Sequence, residues 1–389
     1  MKRFMSLCAL SFALCAGMVS CEKTPDNSYE GTNYIYLSSD NTSMYGVQGE
    51  SITVNVMLTT SLDEDAEINF EVKGGEGIVE LEGNPVLIPA GETTASFDIV
   101  CSEGIDIAEN TVLSVELLSG PDKLAVRDPF QFTVMVVGSS SLTDEQKAII
   151  ENYKSSTGID LYKYIGLVDV TTQYTGTDPD TAEPLPVQTI TGKTAIVLSE
   201  ASVSGKPVLK MLSNPMGIQD EMYETLRTVT VDNTDFWYGE WASPSYAMLM
   251  EAIGWTSESQ EVFSMSLDNI VFNADKTIDF LGEIEDQYGD PITAVPFDYT
   301  FSAYDRELEA IASGKLDPVN TPDWAGDCTA SPYYHLNCDD ITSDEYEGGN
   351  WIEPKAEISD EKLVFTFCMY RCALDSDYTR VIATYTPAE

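Results

Sequence analysis

The chain has 389 residues, of which 65 are Asp or Glu and only 20 are Lys or Arg, so its formal net charge is −45 at pH 7. A field of this sign repels nucleic acid and anionic headgroups, and we therefore expect neither as a partner. Hydrophobic residues make up 43% of the sequence and aromatic residues 10%, which is more than a disordered acidic chain carries. The acidic residues therefore lie on the surface of folded domains, and the length of the chain indicates two domains.

Residues 1–20 have the form of a lipoprotein signal peptide. Lys2 and Arg3 supply the basic start, residues 6–18 form an apolar run too short to span a bilayer, and Ser20 precedes Cys21. The signal resembles those of surface lipoproteins in the Bacteroidota. The resemblance implies a mature protein that begins at a lipidated Cys21, is attached to the outer membrane through this lipid alone and faces the cell exterior. A periplasm-facing lipoprotein is the alternative.

Residues 21–32 are polar and predict a flexible tether. Residues 33–138 contain short runs of period-two alternation between turn residues, which predicts an immunoglobulin-like β-sandwich. Residues 89–99, Pro-Ala-Gly-Glu-Thr-Thr-Ala-Ser-Phe-Asp-Ile, look like the strand-turn-strand core of Calx-β-type modules. Cys101 lies in the same alternation as Phe97 and Ile99, so we expect it to be a buried small hydrophobic residue.

Residues 139–158 predict a linker and a helix. Thr143 and Gln146 have the spacing of a capping box, and Gly158 supplies the stop signal. Residues 159–389 contain about nine further strand patterns, including Thr228 to Val231, and a short helix pattern from Asp305 to Ala312. We therefore expect an all-β protein whose second domain is a larger antiparallel β-sandwich or barrel-like domain with one or two short helices.

Four cysteines cluster near the end of the chain: Cys328, Cys338, Cys368 and Cys372. An exported protein meets an oxidising compartment, so two disulfides are expected. On one continuous strand, Cys368 and Cys372 would stand roughly 13 Å apart, whereas a disulfide needs Cα atoms within about 7 Å. Each would then pair with Cys328 or Cys338. A four-thiolate zinc site is the alternative, but the spacing is not a usual one, and we expect no metal.

The inventory of catalytic motifs is short. His335 is the single histidine, and the sequence contains no G-x-S-x-G, no H-E-x-x-H and no phosphate-binding G-x-x-x-x-G-K-[ST] motif. Among so many carboxylates, a pair at the spacing of a glycosidase occurs by chance. The sequence therefore favours a protein that is not an enzyme and uses no cofactor.

Two regions combine aromatic and polar side chains, which together suit sugars. The first contains Trp237 and Trp241. The second is the long segment between Lys315 and Lys355, which lacks obvious periodicity. Its candidate ligand-binding residues are Trp324, Tyr333, Tyr334, Asp339, Asp340 and Trp351, and it also holds His335 and Asn337. The alternatives are that the first region closes the core and that the second covers a sheet edge.

These observations predict a monomeric, lipid-anchored surface protein that captures a glycan through its second domain, with the first domain as a spacer. One alternative is a structural or assembly protein that contacts another outer-membrane protein. The other is a carboxylate-based glycoside hydrolase.

Overall fold

The structure, a computed structural model, describes residues 32–387 except 103–104, 106, 108, 179–180, 182, 238–241, 260, 345–348 and 372–376. The signal peptide and the predicted lipid site Cys21 lie outside this part of the chain, as do Trp241 and Cys372. The protein is mostly β, so the predicted fold class is confirmed. Within the described ranges, no helix combines the length and the apolar character needed to cross a membrane.

The N-terminal domain is a sandwich of two five-stranded sheets, ordered β5-β7-β3-β1-β9 and β2-β10-β8-β4-β6. Neighbouring strands are antiparallel except for the pairs β1–β9 and β2–β10. The strands are β1 (Asn33–Ser38), β2 (Ser43–Tyr45), β3 (Ser51–Leu58), β4 (Ala66–Lys73), β5 (Val79–Glu82), β6 (Val86–Ile88), β7 (Thr94–Cys101), β8 (Thr111–Ser119), β9 (Leu124–Val126) and β10 (Phe130–Met135).

Period-two alternation creates the interior of this sandwich. Every second residue of β3 is buried, beginning with Ile52 and Val54, because side chains alternate between the two faces of a strand. Phe70 of one sheet stacks on Phe97 of the other with ring centroids 5.0 Å apart. Cys101 lies on the same face of β7 as Phe97 and is buried, as predicted.

The C-terminal domain is built on one antiparallel sheet with the order β15-β14-β13-β12-β11-β21-β20-β19, in which β18 also pairs with β14. The end strands β15 and β19 contact each other, so the sheet curls into a barrel-like shape. A separate hairpin, β16–β17, lies outside it. The strands are β11 (Gly166–Thr175), β12 (Gln188–Leu198), β13 (Val208–Ser213), β14 (Phe263–Phe272), β15 (Ile278–Asp279), β16 (Gly282–Glu285), β17 (Pro291–Ala294), β18 (Phe297–Phe301), β19 (Lys355–Ile358), β20 (Leu363–Met369) and β21 (Thr379–Thr386).

This domain contains more helix than the one or two short helices predicted. Helix α1 (Asp144–Thr157) is the one predicted within residues 139–158, and the described residues that follow it form α2 (Gln219–Val229), α3 (Thr234–Trp237), α4 (Pro244–Ile253), α5 (Ser302–Ala312) and α6 (Pro332–His335). The expected strand from Thr228 to Val231 is instead the end of α2 and the residues that follow it. Met222, Leu226 and Val229 are buried along α2 at a helical spacing that outweighs the β-branched residues of its last turn.

Helix α1 begins and ends as predicted. The Thr143 hydroxyl accepts the Gln146 N–H at 3.2 Å, the Gln146 side chain accepts the Thr143 N–H at 2.9 Å, and Gly158 follows in the left-handed conformation. Tyr153 on its buried face donates to the Asn273 carbonyl at 3.2 Å. The helix therefore packs on the second domain.

A small apolar cluster joins the two domains. Val47 of the sandwich lies with Ala195, Val197 and Leu212 of the C-terminal sheet, and Tyr45 and Val137 pack against this group. The first domain therefore contacts the outer face of the second domain's sheet, beyond the connection provided by the linker.

The prediction of two disulfides is wrong for Cys328 and Cys368, which are free and buried. The Cys368 sulfur accepts the Ile352 N–H at 2.9 Å and donates to the Ile352 carbonyl at 3.2 Å, a donor role that only a thiol can fill. Strand β20 also ends at Met369, so the assumption of a continuous strand through residue 372 fails. Cys338 is disulfide-bonded, and its partner lies outside the described residues.

Alkylation can distinguish the three free thiols from the disulfide-bonded Cys338. Burial raises the pKa of Cys101 and Cys368 to about 11 and that of Cys328 to about 12, so none reacts readily at pH 8 in the folded protein. After unfolding without reductant, iodoacetamide should label Cys101, Cys328 and Cys368 but not Cys338, as read by peptide mass spectrometry. A reduced sample, in which Cys338 is also labelled, is the control. Labelling of Cys338 without reductant would contradict the assignment.

Candidate functional site

The segment between Lys315 and Lys355 is folded onto the end of the barrel rather than extended into solvent. Asn350 is buried and its side-chain amide donates to the carbonyls of Thr175 at 2.8 Å and Tyr378 at 2.6 Å. The Arg380 side chain donates to the carbonyls of Asn350 and Trp351 at 3.1 and 3.3 Å. Satisfied backbone groups therefore hold this segment in place together with the disulfide of Cys338.

Three of the predicted tryptophan platforms lie in the described part of the chain, and each of them packs in or against the core. Trp237 is 1% exposed, donates its indole N–H to the Val229 carbonyl at 3.0 Å and meets Tyr246 edge-on at 4.5 Å. Trp324 and Trp351 are half-buried against the core, and the Trp351 indole donates to the Ile341 carbonyl at 3.1 Å. Trp237 therefore closes the core, which is the alternative that the sequence left open for its region, and Trp324 and Trp351 pack against the core from the second region.

The predicted carboxylates of Asp339 and Asp340 accept hydrogen bonds from backbone N–H groups. Asp340 accepts the N–H groups of Thr293 at 2.9 Å and Thr342 at 2.8 Å. Burial raises the pKa of Asp340, but hydrogen bonds from Thr342 and Thr293 outweigh it and hold the pKa below its usual value. Asp339 is half-buried and accepts the Asp340 N–H at 2.8 Å. Both residues therefore shape the loop.

His335 is likewise structural. It is buried, and its Nε2 lies 2.8 Å from the Thr329 carbonyl. Burial lowers the pKa of its imidazole to about 4, so the ring is neutral near pH 7. Tyr334, the next predicted residue, is half-buried with its ring edge-on to His335 at 5.1 Å.

Tyr333, by contrast, lines a cavity of about 390 Å³, which we call the tyrosine cavity. Four elements meet there: hairpin strand β16, strand β18, helix α5 and the short helix α6 with the residues that follow it. The lining residues are Ile284, Glu285, Phe297, Tyr299, Tyr304, Tyr333, Leu336 and Asn337. The cavity therefore combines several aromatic rings with one amide and one carboxylate.

The ring of Tyr333 is fixed at the rim of this cavity. Its hydroxyl donates to Asp298 and accepts the Tyr299 N–H at 3.2 Å, and its ring meets that of Tyr299 edge-on at 5.1 Å. Burial and the bond to Asp298 raise the pKa of Tyr333 to about 12, so the hydroxyl stays protonated. Because the hydroxyl is engaged, Tyr333 offers its ring, which is 42% exposed.

Two polar atoms of the cavity residues have no hydrogen-bond partner: the Tyr299 hydroxyl and the Asn337 amide oxygen. Asn337 is only 3% exposed, and its amide nitrogen donates to the Val295 carbonyl at 2.7 Å. Burial, with Tyr333 and Asp298 nearby, raises the pKa of Tyr299, which keeps its hydroxyl protonated. Buried polar atoms in proteins are normally paired, and the described residues include other exceptions, such as Asp98 Oδ1 and Ser102 Oγ.

A larger cavity of about 550 Å³ lies between the two domains and is lined by carboxylates. Burial and the neighbouring Asp98 raise the pKa of both Glu82 and Asp305. In the described part of the chain, no three His, Cys, Asp or Glu residues are placed to hold a metal ion. This cavity lacks the aromatic faces of the tyrosine cavity, which is therefore the better candidate for a ligand.

Sequence reasoning named Tyr333 and noted Asn337, but it missed Tyr299, Tyr304 and Phe297. Phe297 and Tyr299 lie two residues apart on β18, and that alternation shows only that they share a face of the strand. Nothing in the sequence pattern brings β18, α5 and the loop after α6 together. The contact is a product of the tertiary fold.

Two family models divide the chain. A domain of unknown function, DUF4929, matches residues 29–134, and another, DUF8472, matches residues 140–386. No curated protein matches the chain. A solved structure, the crystal structure of CBD12 from CALX1.2, matches over 49% of this chain and 87% of its own length, at 14% identity and a TM-score of 0.22. Because the second model covers more than half of the sequence and includes the whole tyrosine cavity, the chain belongs to the DUF8472 family of domains of unknown function.

Proposed function

We propose that this protein is a lipid-anchored cell-surface protein that captures a neutral glycan in the tyrosine cavity. One observation carries the proposal: the rings of Tyr299, Tyr304 and Tyr333 lie around a cavity of about 390 Å³ whose lining also includes an amide and a carboxylate. Sugar rings have a face of C–H groups and a rim of hydroxyls. Aromatic faces with hydrogen-bonding groups beside them complement both features.

The size of the cavity suits a small part of a glycan. Ligand pockets usually measure about 300–1,000 Å³, and this cavity lies near the lower end of that range. It therefore suits one or two sugar units rather than a long stretch of chain. The rest of the glycan would continue past the exposed ring of Tyr333.

The charge of the chain favours a neutral sugar over an acidic one. Glu285 lines the cavity, Asp298 holds the Tyr333 hydroxyl, and the whole chain carries a formal charge of −45. Uronic acid and sulfate groups would meet repulsion both at long range and at the cavity. The hydroxyls of a neutral sugar could instead donate hydrogen bonds to the Glu285 carboxylate.

The remainder of the chain fits display at a surface. Cys21 would carry the lipid, residues 22–32 would act as the tether, and the sandwich would hold the second domain away from the membrane. The apolar cluster around Val47 and Val197 supports a spacer that is attached to the domain it presents. Each buried methylene of an acyl chain adds about 0.8 kcal/mol to membrane binding, so several chains would anchor the protein stably.

Replacing the exposed ring of the cavity should weaken glycan binding. Tyr333→Ala removes a stacking face, and we expect at least about a fivefold rise in Kd, equal to about 1 kcal/mol. Isothermal titration calorimetry with a panel of neutral and acidic polysaccharides measures the Kd of each variant. We expect only the neutral polysaccharides to bind. Tyr34→Ala is the matched control, since Tyr34 lies on the sandwich and is 41% exposed against 42% for Tyr333.

Two results would argue against glycan capture in this cavity. One is that no polysaccharide of the panel binds the wild-type protein. The other is that Tyr333→Ala and Tyr34→Ala bind a neutral polysaccharide equally well while both retain the wild-type urea unfolding midpoint.

The lipid anchor can be tested on the native protein by intact-mass and peptide mass spectrometry. We expect a mature chain that begins at Cys21 and carries the mass of acyl chains, and a Cys21→Ala variant that lacks this mass. Protease added to intact cells then separates the two orientations, since only an outward-facing protein is digested. A wild-type protein that retains residues 1–20, or an unmodified Cys21, would exclude the anchor.

A further inference from the structure

We infer that the captured glycan leaves the tyrosine cavity along the β16–β17 hairpin and packs on the ring of Tyr288, so that the protein binds an extended neutral chain rather than a single sugar unit. This inference rests on the proposed function and adds the direction in which the bound chain runs. It starts from an aromatic side chain outside the cavity that the fold leaves in solvent.

Tyr288 is the most exposed of the described aromatic side chains. It is 78% exposed, against 42% for Tyr333 and 41% for Tyr34. A ring in this position adds little to the packing of the fold, whereas a sugar packed on it would cover an apolar face. Single exposed apolar residues are common on protein surfaces, so the position of the ring relative to the cavity decides whether it belongs to the site.

The hairpin that carries Tyr288 also forms a wall of the tyrosine cavity. Ile284 and Glu285, at the end of β16, line the cavity. Tyr288 follows Glu285 by three residues, and three residues of chain span at most about 11 Å. A glycan seated in the cavity therefore needs only a few further sugar units to reach the ring of Tyr288.

Helix α6 connects the same two places. Tyr333 stands at the rim of the cavity, and the next residue, Tyr334, is half-buried. Burial, with Asp327 and Tyr288 nearby, raises the pKa of Tyr334. The fold thus brings the tip of the hairpin close to the residue that follows Tyr333.

Hydrogen bonds order the turn that presents Tyr288. The Asp286 carboxylate accepts the N–H groups of Tyr288 at 2.7 Å and Asp290 at 2.8 Å. The Asp286 N–H donates to the Asp290 carbonyl at 2.8 Å, and the Gly289 N–H donates to the Asp286 carbonyl at 3.1 Å. The turn is therefore ordered before a ligand arrives, which reduces the ordering entropy lost on binding.

The charges along this path favour the same class of glycan as the cavity. Glu285 lines the cavity, and Asp290 is exposed at the end of the turn. Sugar hydroxyls can donate hydrogen bonds to these carboxylates, whereas acidic sugars would be repelled. The chain that reaches Tyr288 is therefore a neutral one.

The experiment uses the full mature protein and length series of neutral gluco-, manno-, galacto- and xylo-oligosaccharides, from the monosaccharide to the hexasaccharide. In titration calorimetry, the Kd of the wild type should fall as the chain grows beyond the cavity and then level off. Tyr288→Ala should match the wild type for the shortest sugars and bind the longer ones at least about threefold more weakly, because one stacking face is lost.

Two control variants isolate the ring. Tyr288→Phe retains the ring and should bind every length as the wild type does. Tyr34→Ala removes an exposed tyrosine from the other domain and should also match the wild type. Because both side chains are exposed, all three variants should keep the wild-type urea unfolding midpoint.

The outcomes separate this inference from the proposed function. If Tyr333→Ala weakens binding at every length while Tyr288→Ala binds every length as the wild type does, the inference is overturned and glycan capture survives. A wild-type Kd that does not depend on chain length would overturn it as well. The same holds if Tyr288→Ala weakens short and long chains equally, or if Tyr288→Phe loses as much as Tyr288→Ala. If no oligosaccharide or polysaccharide binds the wild type, both fall together.

Discussion

Three hydrogen bonds between the segment after α6 and residues 293–295 hold the candidate site together. Asn337 donates to the Val295 carbonyl at 2.7 Å, Ile341 donates to the Thr293 carbonyl at 3.0 Å, and Asp340 accepts the Thr293 N–H at 2.9 Å. They fix an irregular segment to the base of the hairpin whose other strand lines the tyrosine cavity. Without them, the cavity would lose the wall that carries the amide.

The curled sheet explains why this segment can be irregular and still ordered. The end of the barrel pairs with its backbone groups, as the bonds from the Arg380 side chain to the carbonyls of Asn350 and Trp351 illustrate. Buried backbone groups in proteins are almost always paired.

The sequence predicted local features well and the site only in part. The capping box of α1 and the alternation of β3 depend on residues a few positions apart, so both can be predicted from the sequence. The tryptophans misled because a large aromatic side chain suits a core as well as a sugar platform, and Trp237 is buried. The residues around the cavity lie between positions 284 and 337 on separate elements. No local sequence pattern indicates that these elements are in contact. Cysteine count likewise predicted two disulfides, whereas Cys368 uses its thiol as a hydrogen-bond donor.

We propose that a ligand binds in the tyrosine cavity rather than at the tryptophans. A crystal structure of the mature protein grown with a neutral oligosaccharide that binds it tests this most directly. We expect a sugar ring within the cavity, against the exposed ring of Tyr333. A structure in which the sugar occupies another surface, while ordered water alone fills the cavity, would contradict the proposal.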